Sequence, residues 1–250
     1  MVVLVGGVGQ LYQGDLDLGR LVVARLTGRA LGRGVVVEDL HYGAIAVSQR
    51  LEDLKADALI LVGAEERGRP PGTIERRRIR QVTVPPASAQ AAVHDAGTGY
   101  VTIDLVVAVG AAFGALPDRT VTVEVEPASV QPSEHLSSAA GDALERAIEV
   151  VEREVRRTPL LLLADEIGAL VGDGRLKEAP ALETMRALLT ELRHLDDHGT
   201  WGAAFALRDR LRATIAAGLT GEGMSHLDWG LWWTLIEELD RLQPVEATDV

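Results

Sequence analysis

A mostly parallel, twisted sheet flanked by helices, followed by an all-α region, is the fold class this sequence predicts, on three observations. Short apolar runs rich in β-branched residues stand at 2–5, 35–37 and 58–62, each followed at once by a polar or glycine-bearing loop. Helical patterns follow the first two, and strand-loop-helix units in series point to parallel strands joined by right-handed crossovers. From Thr158 onward strand signals stop and helix formers take over, which divides the chain into an α/β part at 1–157 and a helical part at 158–250.

Each element follows from its own residues. Gly6, Gly7 and Gly9 turn the chain out of the first strand, and Asp15 and Asp17 precede the apolar series Leu18, Leu21, Val22 and Leu26. Those aspartates suit the cap and first turn of a helix that starts near Leu18. They also place carboxylates at the carboxyl end of the first strand, where open α/β sheets build their sites. After the second strand, Glu38-Asp39-Leu40-His41-Tyr42-Gly43 leads into a helix over 44–54, and after the third comes a Gly-Ala-Glu-Glu-Arg-Gly loop containing Glu65. Pro70-Pro71-Gly72-Thr73 marks a turn, and 74–84 alternates as an edge strand whose Arg76-Arg77-Arg78 cluster reads as a solvated edge that blocks unwanted pairing.

His94 to Tyr100, with Thr98 at its centre, reads as a glycine-rich loop before a helix over 101–115. Val121, Val123 and Val125 form a strand, and an amphipathic helix covers 138–157. Four helices are predicted beyond it, at 160–171, 181–194, 204–217 and 227–242. In the last, Trp229, Trp232, Trp233 and Ile236 fall on one stripe, which reads as core packing first and as a docking or self-association surface second.

Composition narrows the function. A 250-residue chain with 47% hydrophobic and 25% charged residues buries a full core. The net charge of -12 argues against a general nucleic-acid binder and disfavours an anionic membrane surface. No apolar run approaches the ~20 residues of a membrane span, and no signal peptide is apparent, so a cytoplasmic protein is expected. With no cysteine, disulfides, thiolate metal sites and cysteine nucleophiles are all excluded.

The glycine loop fits neither common phosphate motif. Tyr12 stands where a dinucleotide fingerprint needs its third glycine, and a P-loop lysine is missing. No Gly-x-Ser-x-Gly elbow surrounds Ser129 or Ser137. His41 reads as a base or ligand that meets Asp15 or Asp17, or as a plain loop histidine.

Several motifs resemble one family. Gly-Val-Gly-Gln-Leu-x-x-Gly-Asp-x-x-x-Gly at Gly7 to Gly19, then Pro71-Gly72-Thr73, then Glu126-Pro127-Ala128-Ser129-Val130 with Pro132 and Leu136-Ser137 lie in the order seen in the hydrogenase maturation endopeptidases. These enzymes trim the C-terminal tail from the large subunit of nickel-iron hydrogenases once nickel is in place. The resemblance spans about 1–155 and implies a phosphorylase/hydrolase-like fold, a metal-dependent endopeptidase activity, a hydrogenase large-subunit partner, and nickel carried by that precursor. The family's nickel-seeking positions, two acids and a histidine, fall here at Leu16, Gly63 and, by gapless count, Thr98. Two expectations follow. Either Asp17, Glu65 and His94 rebuild the site as shifted ligands, with Asp15, Asp39, His41 and Thr98 around the cleft, or the chain keeps the fold as a protein-binding module working through its helical region.

Overall fold

The structure is a computed structural model that describes residues 1–80, 85–97, 101–173, 179–198, 204–218 and 226–242. The chain divides into two compact units, Met1–Arg156 and Arg157–Val250.

The first unit is a five-stranded sheet in the order β2-β1-β3-β5-β4, formed by β1 (Val3–Gly7), β2 (Val35–Asp39), β3 (Ala58–Ala64), β4 (Ile74–Ile79) and β5 (Arg119–Val125). β1 pairs in parallel with β2 and β3, β3 pairs in parallel with β5, and β4 closes the edge antiparallel to β5. The chain leaves β1 toward β2 on one side and returns to β3 on the other, so a crevice opens at the carboxyl ends of β1 and β3. Four helices belong wholly to this unit: α1 (Leu18–Leu26), α2 (Ala44–Leu54), α3 (Pro86–Ala96) and α4 (Ile103–Ala112). One face of the sheet contributes Leu4, Leu59 and Leu61 to a core completed by Val47 and Leu51 of α2 and Val106 and Val109 of α4. On the other side, α1 is tied to the opening turns of α5 (Ser138–Gly172) by Arg25–Glu145 and Arg29–Glu152 ion pairs, each at 2.8 Å.

Close backbone packing sets the crevice. A Cβ on Gly19 would stand 2.2 Å from the carbonyl oxygen of Val8 and 2.3 Å from that of Val62, so only glycine lets the first turn of α1 sit on the ends of β1 and β3. That is the physical reason the first motif ends in glycine.

Three sequence expectations change. The helices read at 138–157 and 160–171 are one 35-residue helix that passes through Pro159. Proline costs one backbone hydrogen bond, and the strong helix formers on both sides carry the helix across it. The Arg76-Arg77-Arg78 cluster is half-buried rather than solvated: Arg76 reaches the buried Glu154 at 3.0 Å, Arg77 the buried Glu124 at 3.0 Å, and Arg78 the carbonyl of Thr120 at 3.0 Å. His94 stands in the last turn of α3, not in a loop.

The second unit comprises the remainder of α5 with α6 (Ala179–His198), α7 (Ala204–Gly218) and α8 (His226–Arg241). Its core is almost purely aliphatic, built on Ile167, Met185, Leu188, Leu207, Leu211 and Leu239 around Trp232. The tryptophan stripe separates: Trp232 and Ile236 are buried, whereas Trp233 is 46% exposed with its indole N–H donating to Glu237 at 3.1 Å. Adjacent helical positions lie about 100° apart, which places Trp232 and Trp233 on different faces. Among the described residues, no helix is long and apolar enough to cross a membrane.

Candidate functional site

The carboxyl edge of the sheet gathers most of the polar residues singled out from the sequence, and the role of each depends on what already holds it. Asp15 sits in a short 3-10 turn, Gly14–Asp17, between β1 and α1. It is buried, and one segment supplies four donors to its carboxylate: the N–H of Ala128 at 2.8 Å, of Ser129 at 3.3 Å, of Ser137 at 2.6 Å, and the Ser137 hydroxyl at 2.8 Å. Backbone bonds reinforce the join, with Gly14 N–H donating to Ser133 at 2.9 Å and Ser133 N–H donating to Tyr12 at 3.0 Å. Asp15 is therefore a clasp between the first loop and the 128–137 segment, not the helix cap expected. The two enclose a pocket of about 240 Å³ lined by Gly14, Asp15, Ser129, Pro132, His135 and Ser137 among others.

Glu126 repeats this arrangement one strand over. Its carboxylate accepts the N–H groups of Arg67 at 2.9 Å and Gly68 at 3.0 Å and the Nε–H of Arg69 at 3.1 Å, which pins the loop after β3. Burial by itself would push this carboxyl up, but those hydrogen bonds outweigh it and hold Glu126 below the usual glutamate range.

Glu65 also faces a backbone donor. It is buried, and its Oε1 accepts the N–H of Ile103 at 2.6 Å, at the first residue of α4. Burial pushes its carboxyl up, the Ile103 hydrogen bond opposes this, and Asp104 and Glu124 add repulsion. Nearby, Arg67 forks onto Asp104 with two bonds of 2.7 Å and reaches Glu124 at 3.0 Å. Asp104 is held below its ordinary value by that guanidinium.

Asp17 and Asp39 share one cation. Arg20, in the first turn of α1, donates from Nη1 to Asp17 at 2.8 Å and from Nε to Asp39 at 2.7 Å. Asp17 caps no helix with its side chain, since that carboxylate is turned to Arg20. Burial pushes Asp17 up, and the Arg20 hydrogen bond and charge pull it back. His41 meets neither Asp15 nor Asp17; its Nδ1 lies 3.1 Å from Asp39, two residues earlier in the same loop, and its ring is exposed.

The structure thus brings Asp17, Asp39 and His41 into one chain of contacts through Arg20, leaves Asp15 and Glu65 each committed to backbone N–H groups, and places His94 exposed on α3. Thr98 lies outside the described residues. Among the described residues, no three or more histidine, aspartate or glutamate side chains are placed to hold a metal ion. Asp17, Glu65 and His94 as they stand do not fit a resident metal. Nor has Gly63 room for an acid, because a Cβ there would lie 2.8 Å from the Val8 carbonyl oxygen and 3.3 Å from Ile103.

Sequence reasoning missed Arg20, Arg67 and Glu124. Arg20 carried one signal, its position three residues after Asp17 on a helix start. Glu124 carried none, since an alternating Val-Thr-Val-Glu-Val strand ordinarily turns its polar side to water, and here both sides are buried.

About 62% of the chain is similar to solved hydrogenase maturation endopeptidases. The chain is similar to the hydrogenase 2 maturation peptidase from Thaumarchaeota archaeon SCGC_AB-539-E09, at 25% identity over 62% of this chain and 98% of that one, with a TM-score of 0.46. It is also similar to the hydrogenase maturating endopeptidase HybD from E. coli, at 23% identity over 63% and 94% of the two chains, with a TM-score of 0.47. HycI from E. coli matches at 16% identity over 62% and 91%, with a TM-score of 0.46. No family model and no curated protein matches the chain.

Proposed function

We propose that the chain recognises the precursor of a nickel-iron hydrogenase large subunit at the carboxyl edge of its sheet and removes the precursor's C-terminal tail, in the cytoplasm, with nickel belonging to the substrate. The observation that carries this reading is the meeting of the two motif segments. The Gly7–Gly19 stretch and the Glu126–Ser137 stretch, which carry the family-like pattern in sequence, are joined through the buried Asp15 beside an open pocket. Recognition is assigned to residues 1–157, and 158–250 to an accessory contact with a protein partner.

A second reading has an observation of its own. Arg20 neutralises Asp17 and Asp39 at the carboxyl edge of the sheet, which favours a module that binds the precursor without cutting it. Incubating the full chain with purified nickel-loaded precursor, followed by intact-mass measurement and gel filtration, separates the two. The peptidase reading predicts a mass loss equal to the tail, and the module reading predicts a complex of unchanged masses. Neither complex nor mass change would sink both.

A further inference from the structure

The pocket between the first loop and the 128–137 segment has walls whose polar groups are already engaged. The Ser133 hydroxyl donates to the carbonyl of His135 at 2.9 Å and accepts that residue's N–H at 3.1 Å. The Ser137 hydroxyl donates to Asp15 at 2.8 Å and accepts the N–H of Ala140 at 3.2 Å. The Ser129 hydroxyl oxygen accepts the N–H of Gln131 at 3.1 Å, and both oxygens of Asp15 hold donors from Ala128, Ser129 and Ser137. With His135 and Gln131 exposed at the rim, the walls offer an incoming group mainly carbon, from the Pro132 ring, the Leu136 side chain and Gly14. Gly14 keeps them close, because a Cβ there would lie 3.1 Å from the Gln131 carbonyl oxygen and 3.2 Å from the Ser133 Cβ.

Asp15 gives this space a sign. None of its four donors is charged, and the N-terminus of α5, which begins at Ser138, supplies only about half an elementary positive charge against it. An acid entering here meets like charge. A cation gains little, because the Asp15 oxygens already carry donors and an ammonium would shed water without a hydrogen bond in exchange. The volume, about 240 Å³, lies below the ~300–1,000 Å³ of sites that enclose a whole small ligand, and suits one side chain of a longer molecule.

Beside the pocket, two large apolar side chains stand in solvent. Leu11 is 55% and Tyr12 66% exposed, and Tyr12 holds the left-handed region at φ 62°, an uncommon and costly conformation for a bulky residue. The same turn is tied to the pocket wall, since the Tyr12 carbonyl accepts the N–H of Ser133 at 3.0 Å. Strain that leaves an aromatic ring in water gains no packing within the fold, and it has a physical reason if the ring is placed for a partner.

We propose that this pocket is a side-chain subsite, which takes one uncharged aliphatic residue of an extended peptide lying across Leu11 and Tyr12 and refuses an acidic residue at that place. That the peptide belongs to the hydrogenase precursor rests on the reading above, and the preference for an aliphatic residue does not.

The test follows backbone amide chemical shifts of the full chain during titration with N-acetyl-leucinamide, N-acetyl-lysinamide and the α-amide of N-acetyl-aspartic acid. The leucine probe is expected to move the amides of Ser133, His135 and Leu136 and to saturate on the order of millimolar, with the lysine probe weaker and the aspartate probe inert. Ser129→Phe and Gln131→Phe, each checked for cooperative melting, fill the pocket and remove those shifts. Equal or stronger saturation by the lysine or aspartate probe would overturn the proposal, as would shifts that persist in the folded filled variants or no saturable shift with any probe. With purified nickel-loaded precursor, a folded filled variant should bind about tenfold or more weakly than wild type. Undiminished binding by the filled variants would overturn the assignment of the pocket to the precursor. A wild type that saturates with the leucine probe and binds no precursor would refute the precursor reading alone and leave the subsite standing.

Discussion

The two units of this chain are held together by different means. In Met1–Arg156 the loops at the functional edge are fastened by buried or half-buried carboxylates, each with several donors: Asp15 on 128–137, Glu126 on the loop after β3, and Glu124 under Arg67 and Arg77. In Arg157–Val250 the described core is mostly leucine and isoleucine, with Ala164, Val171 and Met185, around Trp232. The contrast separates what each unit tolerates. Polar fasteners specify one loop geometry because each donor and acceptor needs its partner, whereas an aliphatic core tolerates exchange as long as volume is kept.

Substitutions that respect shape on one side and chemistry on the other sharpen that comparison. The largest effect is expected for Asp15→Asn, which keeps the size but turns an NH2 toward N–H donors and leaves buried groups unsatisfied. It should cost about 4 kcal/mol, read from urea denaturation of the full chain. In the helical unit, Leu188→Ala should cost about 3 kcal/mol by opening a cavity, and Leu188→Met less than about 1.5 kcal/mol. If Asp15→Asn proves as mild as Leu188→Met, the idea of polar fastening fails.

Glu65 gives a smaller effect with a defined sign. Burial holds its folded carboxyl above the ordinary 4.5, so the folded chain binds that proton more tightly than the unfolded one. Its contribution is fully present below 4.5 and is lost as pH rises through the folded value. Glu65→Gln keeps an acceptor for Ile103 and removes the titration. The melting temperature of the variant relative to wild type should therefore climb as pH rises above that range, and a flat difference would contradict the assignment. Asp104 runs the other way: Arg67 lowers it, so its contribution is present above 3.8 and fades on acidification.

The smallest effect is expected at Tyr12, which adopts the left-handed conformation at φ 62° although it is not glycine. Tyr12→Gly relieves that strain and should stabilise the chain by about 1 kcal/mol at most. Because the ring is 66% exposed at the mouth of the edge, weaker precursor binding with unchanged folding would assign Tyr12 to recognition.

Much of the α/β architecture was legible because strand runs, glycine loops and helical spacing are local signals. α2 spans the 44–54 read from spacing alone, and β1 to β3 follow in the expected order. What escaped was non-local. Nothing near Asp15 announces that its partners lie 113 to 122 residues away, and nothing near Asp17 tells a helix cap from a partner of Arg20. Gly97 and Gly99 make the neighbourhood of His94 read as a loop, yet the residues before Gly97 form a regular helix with Pro86 at its start. A motif therefore located the edge, and only the three-dimensional partners separated fasteners from free groups.

The most direct test of the account is the equilibrium affinity of the full chain for purified nickel-loaded large-subunit precursor. The account predicts tight binding that Asp15→Asn abolishes while Leu188→Met leaves it intact. Binding that survives Asp15→Asn in a folded chain, or no binding by the wild type, would contradict it.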